Sequence, residues 1–173
     1  ITVKMDGENT TMYSDYIHAR SVDGRSHPSR NWVKNMHGKI CHNIPKGYRI
    51  CGENLYAKHS IAYDNLESYF YGFSVWNELN QCLSWDETLE WFSLLEITPV
   101  PVLFRGLYNE SYIRSIKLNY EEEEGYVVRL SDKFSYRDFS RSAAKFVRPN
   151  HVRTVKHWMH GQKIQPNQLS KVK

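Results

Sequence analysis

The sequence predicts an α+β fold in which antiparallel sheets are flanked by helices. Three observations predict it: short runs of β-branched and aromatic residues recur along the chain, tight turns separate several of them, and two longer segments carry apolar residues at helical spacing. Hairpin and crossover connections together favour antiparallel sheets. With 173 residues, of which 40% are hydrophobic, the chain suffices for one domain with its own core.

A hairpin and a helix are expected near the start of the chain. Residues 10–13 and 16–19 flank the polar turn Ser14-Asp15, which is typical of two strands joined by a tight turn. Ser29 is the expected N-cap of a helix. The apolar residues of that helix recur at helical spacing and are Trp32, Val33, Met36 and Ile40.

Two strands are expected next. Residues 48–56 alternate as a strand with one inward carboxylate, Glu53. Residues 68–76 form a near-continuous aromatic and apolar run, which is typical of a strand covered on both faces. Gly72 in this run would let a flat ligand approach the backbone.

A second helix opens at Ser84 and Glu87, whose spacing is that of a capping box. Residues 102–104 are expected to form a strand, and Asn109 is the expected cap of another short helix.

Strands are predicted at residues 125–130 and 143–148. A last amphipathic helix is predicted from Val152, Val155 and Trp158, and the polar tail beyond Gly161 is expected to be mobile.

Charge and cysteine content restrict the function classes. The net charge of +4 favours a polyanionic partner only weakly. Three cysteines without a Cys-x-x-Cys pair indicate neither a disulfide framework nor a thiolate zinc site, and so predict a reducing, cytoplasmic setting. The apolar stretch at residues 97–104 is too short to span a bilayer, so we expect a soluble, intracellular protein without a membrane partner. Because the first residue is Ile, we also expect the numbering to begin inside a longer reading frame.

Lys4 follows the run Ile1-Thr2-Val3 and precedes the turn Met5-Asp6-Gly7. A strand that ends at a lysine before an Asp-Gly turn holds the amine where a ligand can reach it, and Gly7 permits close backbone approach. With a reference pKa near ~10.4, a lysine needs desolvation or a neighbouring cation before it acts as a nucleophile. The pattern alone also fits an ordinary hairpin turn, so the functional interpretation depends on partners elsewhere.

The loop at residues 23–30 is rich in cations and turn formers, with Arg25, His27 and Arg30. Two interpretations stay open: these side chains hold phosphate, or the segment is a surface loop before an ordinary helix.

Four consecutive glutamates occupy residues 121–124, and such acidic runs are usually solvated. Glu124, however, directly precedes the predicted strand at Gly125, so we expect it at a strand start with the other three exposed. Lys145 and Arg148 are cations among apolar neighbours in the last predicted strand.

The order of these groups resembles that of the covalent nucleotidyltransferases, the superfamily of polynucleotide ligases and messenger-RNA capping enzymes. The similar segments are Lys4-Met5-Asp6-Gly7, Gly52-Glu53, Tyr71-Gly72-Phe73, Glu124-Gly125-Tyr126-Val127-Val128-Arg129 and Lys145. Asn9 stands where DNA ligases and capping enzymes usually carry an arginine, so the chain looks more like an RNA ligase. Val147 departs from the pattern because a second lysine is expected there.

The resemblance implies an ATP-grasp-like ligase adenylation domain, that is, a nucleotidyltransferase domain, over residues 1–150 that lacks its N-terminal residues. Residues 151–173 would form a C-terminal helix and a mobile tail. The implied activity is that of an ATP-dependent RNA ligase in RNA repair. Lys4 would form a lysyl-AMP intermediate, AMP would pass to an RNA 5′-phosphate, and a 3′-hydroxyl would displace it.

The resemblance also implies residue roles. Lys4 is the implied nucleophile and Lys145 a second catalytic group, while Glu124 would bind Mg²⁺ or Mn²⁺. The implied nucleotide contacts are Lys4, Asp6, Gly7, Arg20, Glu53, Phe73, Glu124 and Lys145, with Glu53 on the ribose and Phe73 stacked on adenine. The expected contacts to RNA phosphates are Arg25, His27, Arg30 and Arg148.

Three alternatives remain open at this stage. Within the superfamily, the chain would be a DNA ligase or a GTP-using, capping-type nucleotidyltransferase. Outside catalysis, it would be a nucleotide- or RNA-binding module of the same fold. The sequence does not determine the oligomeric state.

Overall fold

The computed structural model describes residues 1–20, 27–149 and 164–171. The strands are β1 (Thr2–Lys4), β2 (Glu8–Met12), β3 (Ile17–Ala19), β4 (Arg49–Asn54), β5 (Phe70–Trp76), β6 (Gln81–Cys82), β7 (Thr98–Pro99), β8 (Gly125–Arg129), β9 (Phe134–Ser135) and β10 (Ala143–Val147). The helices are α1 (Asn31–Ile40), α2 (Trp85–Leu94), α3 (Glu110–Ser115) and α4 (Phe139–Ser142), with 3-10 turns at Pro28–Arg30, Cys41–Asn43 and Tyr136–Asp138.

Two sheets organise the chain. The small sheet has the order β1-β8-β10, and both of its pairings are antiparallel. The large sheet has the order β3-β2-β4-β5-β6-β9, and β7 adds a short parallel pairing to β5. The predicted α+β class with antiparallel sheets and flanking helices is therefore confirmed.

The large sheet is covered on both faces. One face packs against the two longer helices in a cluster that includes Met12, Val33, Ile50, Phe70, Val75 and Phe92. The other face joins the first strand and the loop after β4 in a cluster that includes Val3, Met5, Leu55, Ile61 and Tyr71. This double coverage explains the continuous apolar run of β5, since every residue of that strand except the partly exposed Phe73 is buried.

The first hairpin and α1 form where the sequence predicts them, but the cap differs. β2 pairs with β3 in an antiparallel hairpin. Ser29 is buried inside the 3-10 turn that precedes α1, and the N-cap of α1 is Arg30, which makes no side-chain capping hydrogen bond. His27 caps the 3-10 turn instead, so the expected N-cap role of Ser29 is wrong.

The small size of Gly72 serves the core rather than a ligand. A Cβ atom at this position would lie 2.5 Å from Phe92 and 2.9 Å from Ile97. Helix α2 and the segment after it therefore occupy the space that the sequence interpretation gave to a flat ligand.

The predicted caps of α2 and α3 are confirmed. Ser84 and Glu87 form a reciprocal capping box at the start of α2. The side chain of Asn109 accepts a hydrogen bond from the backbone of Tyr112 at the start of α3.

The strand expected at residues 102–104 does not form. Val102 forms an isolated bridge to Thr2. The backbone N–H groups of Leu103 and Phe104 both donate to the Ile1 carbonyl, at 2.8 and 3.2 Å, so the alternating pattern of an antiparallel ladder does not continue through residues 103 and 104.

The C-terminal segment contributes to the folded domain. The helix expected around residues 152–158 lies outside the described residues. Residues 164–171, in the tail that was expected to be mobile, pack against the loop after β4 through bridges from Ala57 to Pro166 and from Leu66 to Leu169. No helix that the structure describes is long and apolar enough to cross a membrane.

Candidate active site

The amine of Lys4 forms an ion pair with the carboxylate of Glu124. β1 and β8 pair antiparallel with Lys4 opposite Gly125, so the residue before Gly125 meets the lysine at the strand end. A side chain at position 125 would collide with the backbone of Phe146, so glycine is what lets β8 and β10 close beside the ion pair. The Glu124 side chain is 9% exposed and that of Lys4 is 24% exposed, so a partly exposed lysine side chain meets a buried carboxylate.

A second carboxyl group, that of Glu53, lies in the same electrostatic cluster. The backbone N–H of Gly7 donates to Glu53 Oε1 at 3.2 Å. Burial raises the pKa of Glu53 to about 8; the charge of Lys4 opposes this shift and the carboxylate of Glu124 adds to it. One amine and two carboxyl groups therefore influence one another at the junction of the two sheets.

The turn after Lys4 is fixed by Asp6. The Asp6 backbone N–H donates to the Tyr63 hydroxyl at 2.9 Å. Its Oδ2 atom accepts hydrogen bonds from Ser60 N at 2.8 Å, Ser60 Oγ at 2.7 Å and Ile61 N at 2.7 Å. Asp6 was expected to contact nucleotide, and the contacts that the structure gives its carboxylate hold the loop after β4.

Gly7 allows close approach, as the sequence predicts, but the backbone that approaches it belongs to the chain itself. A Cβ atom here would lie 2.5 Å from the Asn54 carbonyl oxygen and 2.6 Å from the Leu55 side chain. Without a side chain at position 7, the lysine turn packs directly on the end of β4. This packing places the turn beside Glu53.

Phe73 occupies a β-bulge. In the pairing of β4 with β5, Gly52 lies opposite Gly72 and Cys51 lies opposite Ser74, so Phe73 has no partner on β4. It is the one residue of β5 that is not buried. Its ring packs against the cluster that contains residues of the first strand. A bulge re-aims a side chain locally, and here it leaves an aromatic face partly open on the Lys4 side of the sheet.

Lys145 and Lys4 share one face of the small sheet. Thr2 and Lys145 both lie opposite Val127, from the two sides of β8. Directly paired residues point to the same face, as do residues two apart along a strand, so the register places both lysines on the same face. Lys145 is exposed.

Arg129 connects the two sheets, a role that the sequence did not indicate. Its guanidinium donates to the Leu83 carbonyl at 2.9 Å and to the Phe73 carbonyl at 3.4 Å. It also lies over the rings of Trp85 and Phe134. Burial lowers the pKa of Arg129. The alternating strand pattern gave no signal for this contact, because its acceptors are backbone carbonyls of distant strands.

Arg148 lies directly beside the ion pair. Its backbone N–H donates to the Glu124 carbonyl at 2.9 Å. The guanidinium donates to the Tyr120 carbonyl and lies 3.5 Å from Ser60 Oγ, while Nε is buried without a hydrogen-bond partner among the described residues. With a residue exposure of 6%, Arg148 sits inside the domain next to Glu124.

The other expected phosphate contacts are dispersed. Arg20 is exposed just after β3. Arg30 forms a two-pronged ion pair with Glu8, with N–O distances of 2.8 and 2.5 Å. His27 caps the 3-10 turn before α1. Arg25 lies outside the described residues. The structure thus brings Lys4, Asp6, Gly7, Glu53, Glu124 and Arg148 together, whereas Arg30 pairs with Glu8 and His27 caps the 3-10 turn.

Glu124 and Glu53 fit a metal site in which the ion is bound jointly by the protein and by substrate phosphates. Within residues 1–20, 27–149 and 164–171, no group of three or more His, Cys, Asp or Glu side chains is arranged to hold a metal ion. Mg²⁺ is usually bound by one or two carboxylates together with substrate phosphates and several waters. Glu124, with Glu53 nearby, fits that type of site and does not fit an all-protein cage.

A cavity of about 330 Å³ lies away from this cluster. Its lining includes Thr2, Trp85, Tyr108 and Arg129 but neither Lys4 nor Glu124. The cluster around Lys4 and Glu124 therefore does not line this cavity.

A family model described as RNA ligase matches residues 1–147. No curated protein and no solved structure matches the chain. The matched range contains Lys4, Glu53 and Glu124, and it ends one residue before Arg148. The docked segment at residues 164–171 lies beyond the match.

Proposed function

Because the chain belongs to the RNA ligase family, we propose that it is an ATP-dependent RNA ligase that acts through a lysyl-AMP intermediate at Lys4. The observation that carries the proposal is the ion pair between the partly exposed Lys4 side chain and the buried Glu124 carboxylate, with Glu53 in the same electrostatic cluster. A module that only binds RNA has no need of a lysine paired in this way with a buried carboxylate.

In the first step, Lys4 Nζ attacks the α-phosphorus of ATP. A nitrogen–phosphorus bond forms, the bond to the bridging oxygen breaks, and pyrophosphate leaves with that electron pair. The amine reacts in its neutral form, and its proton passes to solvent. Glu124, with the phosphate oxygens of ATP, would hold a Mg²⁺ or Mn²⁺ ion whose charge favours the neutral amine and offsets charge on the phosphates.

Other residues hold the nucleotide. Glu53 accepts a hydrogen bond from a ribose hydroxyl, and Phe73 stacks on the adenine through the partly open face that the bulge leaves. Lys145, on the same face of the small sheet as Lys4, and the exposed Arg20 contact phosphate.

In the second step, an oxygen of an RNA 5′-phosphate attacks the lysine-bound AMP and frees the Lys4 amine. In the third, a 3′-hydroxyl attacks the activated 5′-phosphate and AMP leaves, which forms the phosphodiester. The proposed role of this reaction is RNA repair, and the proposed compartment is the reducing cytoplasm. Arg25 and His27 are proposed contacts to the RNA phosphates. Arg30 and Arg148 would have to leave their present partners to act in the same way.

The test is covalent labelling. The protein is incubated with ATP labelled at the α-phosphate and with Mg²⁺, and protein-bound label is measured after denaturation. We expect label on the wild type and none on Lys4→Ala or Lys4→Arg, with Lys34→Ala on α1 as a matched control that labels normally. Stronger labelling from GTP would instead favour a capping-type enzyme. No labelling from either nucleotide would favour a binding module.

A further inference from the structure

Two segments outside the catalytic cluster meet next to it. We call residues 164–171 the tail segment and residues 55–66 the site loop. Backbone hydrogen bonds join them from Lys58 N to Gln165 O at 2.8 Å and from Leu66 N to Gln168 O at 3.0 Å. The site loop follows β4, the strand that carries Glu53, so the tail segment lies against an extension of the site.

Asn167 is the centre of this contact and is 3% exposed. Its side-chain oxygen accepts from Tyr63 N at 3.0 Å, and its Nδ2 donates to Leu55 O at 2.7 Å. Its backbone N–H donates to Tyr56 O at 2.9 Å, and its carbonyl accepts from the Tyr69 hydroxyl at 3.0 Å. One buried amide side chain thus ties the start of the site loop to its middle.

The same part of the site loop holds the lysine turn. The Tyr63 hydroxyl accepts from the Asp6 backbone, and burial raises the pKa of Tyr63, so this hydroxyl stays neutral. Ser60 and Ile61 donate three hydrogen bonds to the Asp6 carboxylate. Asp6 is two residues after Lys4. Tyr63 therefore links Asn167 to the turn that fixes the nucleophile, through one hydrogen bond at its backbone N–H and one at its hydroxyl.

We propose that Asn167 is a positioning residue for Lys4, acting through the site loop and Asp6. The proposal rests on the proposed function for its catalytic consequence, but its structural part stands on hydrogen bonds alone. Loss of the Asn167 side chain leaves Leu55 O and Tyr63 N buried without their partner, which favours opening of the site loop. Release of the loop frees the Asp6 turn, and a small displacement of a nucleophile slows its reaction.

The structural part is tested by amide hydrogen exchange on the full chain. In Asn167→Ala, the amides of Asp6 and Ile61 should exchange roughly 10-fold or more faster than in the wild type. Leu169→Ala is the matched control, because Leu169 is in the same segment, 40% exposed, and meets Leu66 through its backbone. The amide of Val75, in the core of β5, should not change in either variant. Unchanged Asp6 and Ile61 amides, or equal acceleration at Val75, would overturn the proposal.

The catalytic part is tested by the labelling rate. Asn167→Ala should lower the rate constant at saturating ATP by roughly 10-fold or more while the ATP concentration for half-maximal rate stays the same, since the residue places the nucleophile and not the nucleotide. Tyr63→Phe removes the hydroxyl that accepts from Asp6. The double variant should label no more slowly than the slower single variant, because both substitutions act on the same contacts between the site loop and the Asp6 turn.

The outcomes separate the two proposals. The positioning role would be overturned if the rate losses of the two single variants multiplied in the double variant. It would also be overturned if Asn167→Ala labelled at the normal rate although its Asp6 amide exchanged faster. If the wild type takes no label at all, the proposed function fails. Hydrogen exchange then still decides whether Asn167 holds the lysine turn.

Discussion

Lys4 and Glu124 form an ion pair although 120 positions separate them in the chain. The pair exists because β1 and β8 are antiparallel neighbours with Lys4 opposite Gly125. It joins a carboxylate that is nearly buried to a lysine side chain that is partly exposed. The arrangement holds the amine in place before a ligand arrives, and it gives Glu124 a role that its three neighbouring glutamates do not share.

We expect Glu124→Gln to slow labelling from ATP by roughly 100-fold or more, because it removes one charge next to the reacting phosphorus. The Mg²⁺ concentration for half-maximal labelling should also rise. Glu122→Gln is the matched control, since Glu122 is exposed and its side chain accepts a hydrogen bond from Asn119. Equal rates for the two variants would show that Glu124 is not part of the reaction centre.

Glu53 should make stability depend on pH. Its pKa is raised to about 8 in the folded protein from a reference value of 4.5, so the folded state holds a proton that the unfolded chain releases between these values. The free energy of unfolding contributed by this group therefore falls as pH rises from about 4.5 to 8, by at most about 1.4 kcal/mol per pH unit.

Urea unfolding of the wild type and Glu53→Gln at several pH values measures this effect. The variant should gain stability relative to the wild type across that window, because a glutamine has no proton to lose. Parallel stability curves would show that the carboxyl group titrates normally.

Phe73→Ala should raise the ATP concentration for half-maximal labelling by roughly 10-fold, the size expected for loss of one stacked base. Phe70→Leu is the control. Phe70 is 0% exposed in the cluster on the opposite face of β5, so its truncation should lower the free energy of unfolding by about 1 kcal/mol or more and leave the ATP dependence unchanged. An unchanged ATP dependence in Phe73→Ala would remove Phe73 from the nucleotide site.

The residue type at position 9 leads us to predict that RNA is preferred to DNA as the substrate. Asn9 is exposed on β2 opposite Glu53, and the sequence resemblance places it where DNA ligases usually carry an arginine. We expect an all-RNA nick with a 5′-phosphate and a 3′-hydroxyl to be sealed faster than the same nick in DNA. Both are compared at one salt concentration, since phosphate-driven affinity falls steeply with salt. Faster sealing of the DNA nick would contradict the assignment to RNA.

The sequence alone determined the local elements and the order of the chemical groups. The hairpin at β2 and β3, the capping box of α2 and the cap of α3 depend on neighbouring residues, whose preferences act within one turn or strand. The order of Lys4, Glu53 and Glu124 could also be predicted from neighbouring residues, because each stands at the end of a predicted strand or within one.

Only the tertiary structure decided what those groups touch. The register of β1 on β8 gave Lys4 its partner, the bulge opposite Cys51 and Gly52 re-aimed Phe73, and the packing of α2 filled the space over Gly72. The docking of Asn167 on the site loop had no sequence signal. Each of these contacts joins segments far apart in the chain, so its partner is set by which strands pair and which buried polar groups need hydrogen bonds, and no local pattern specifies either.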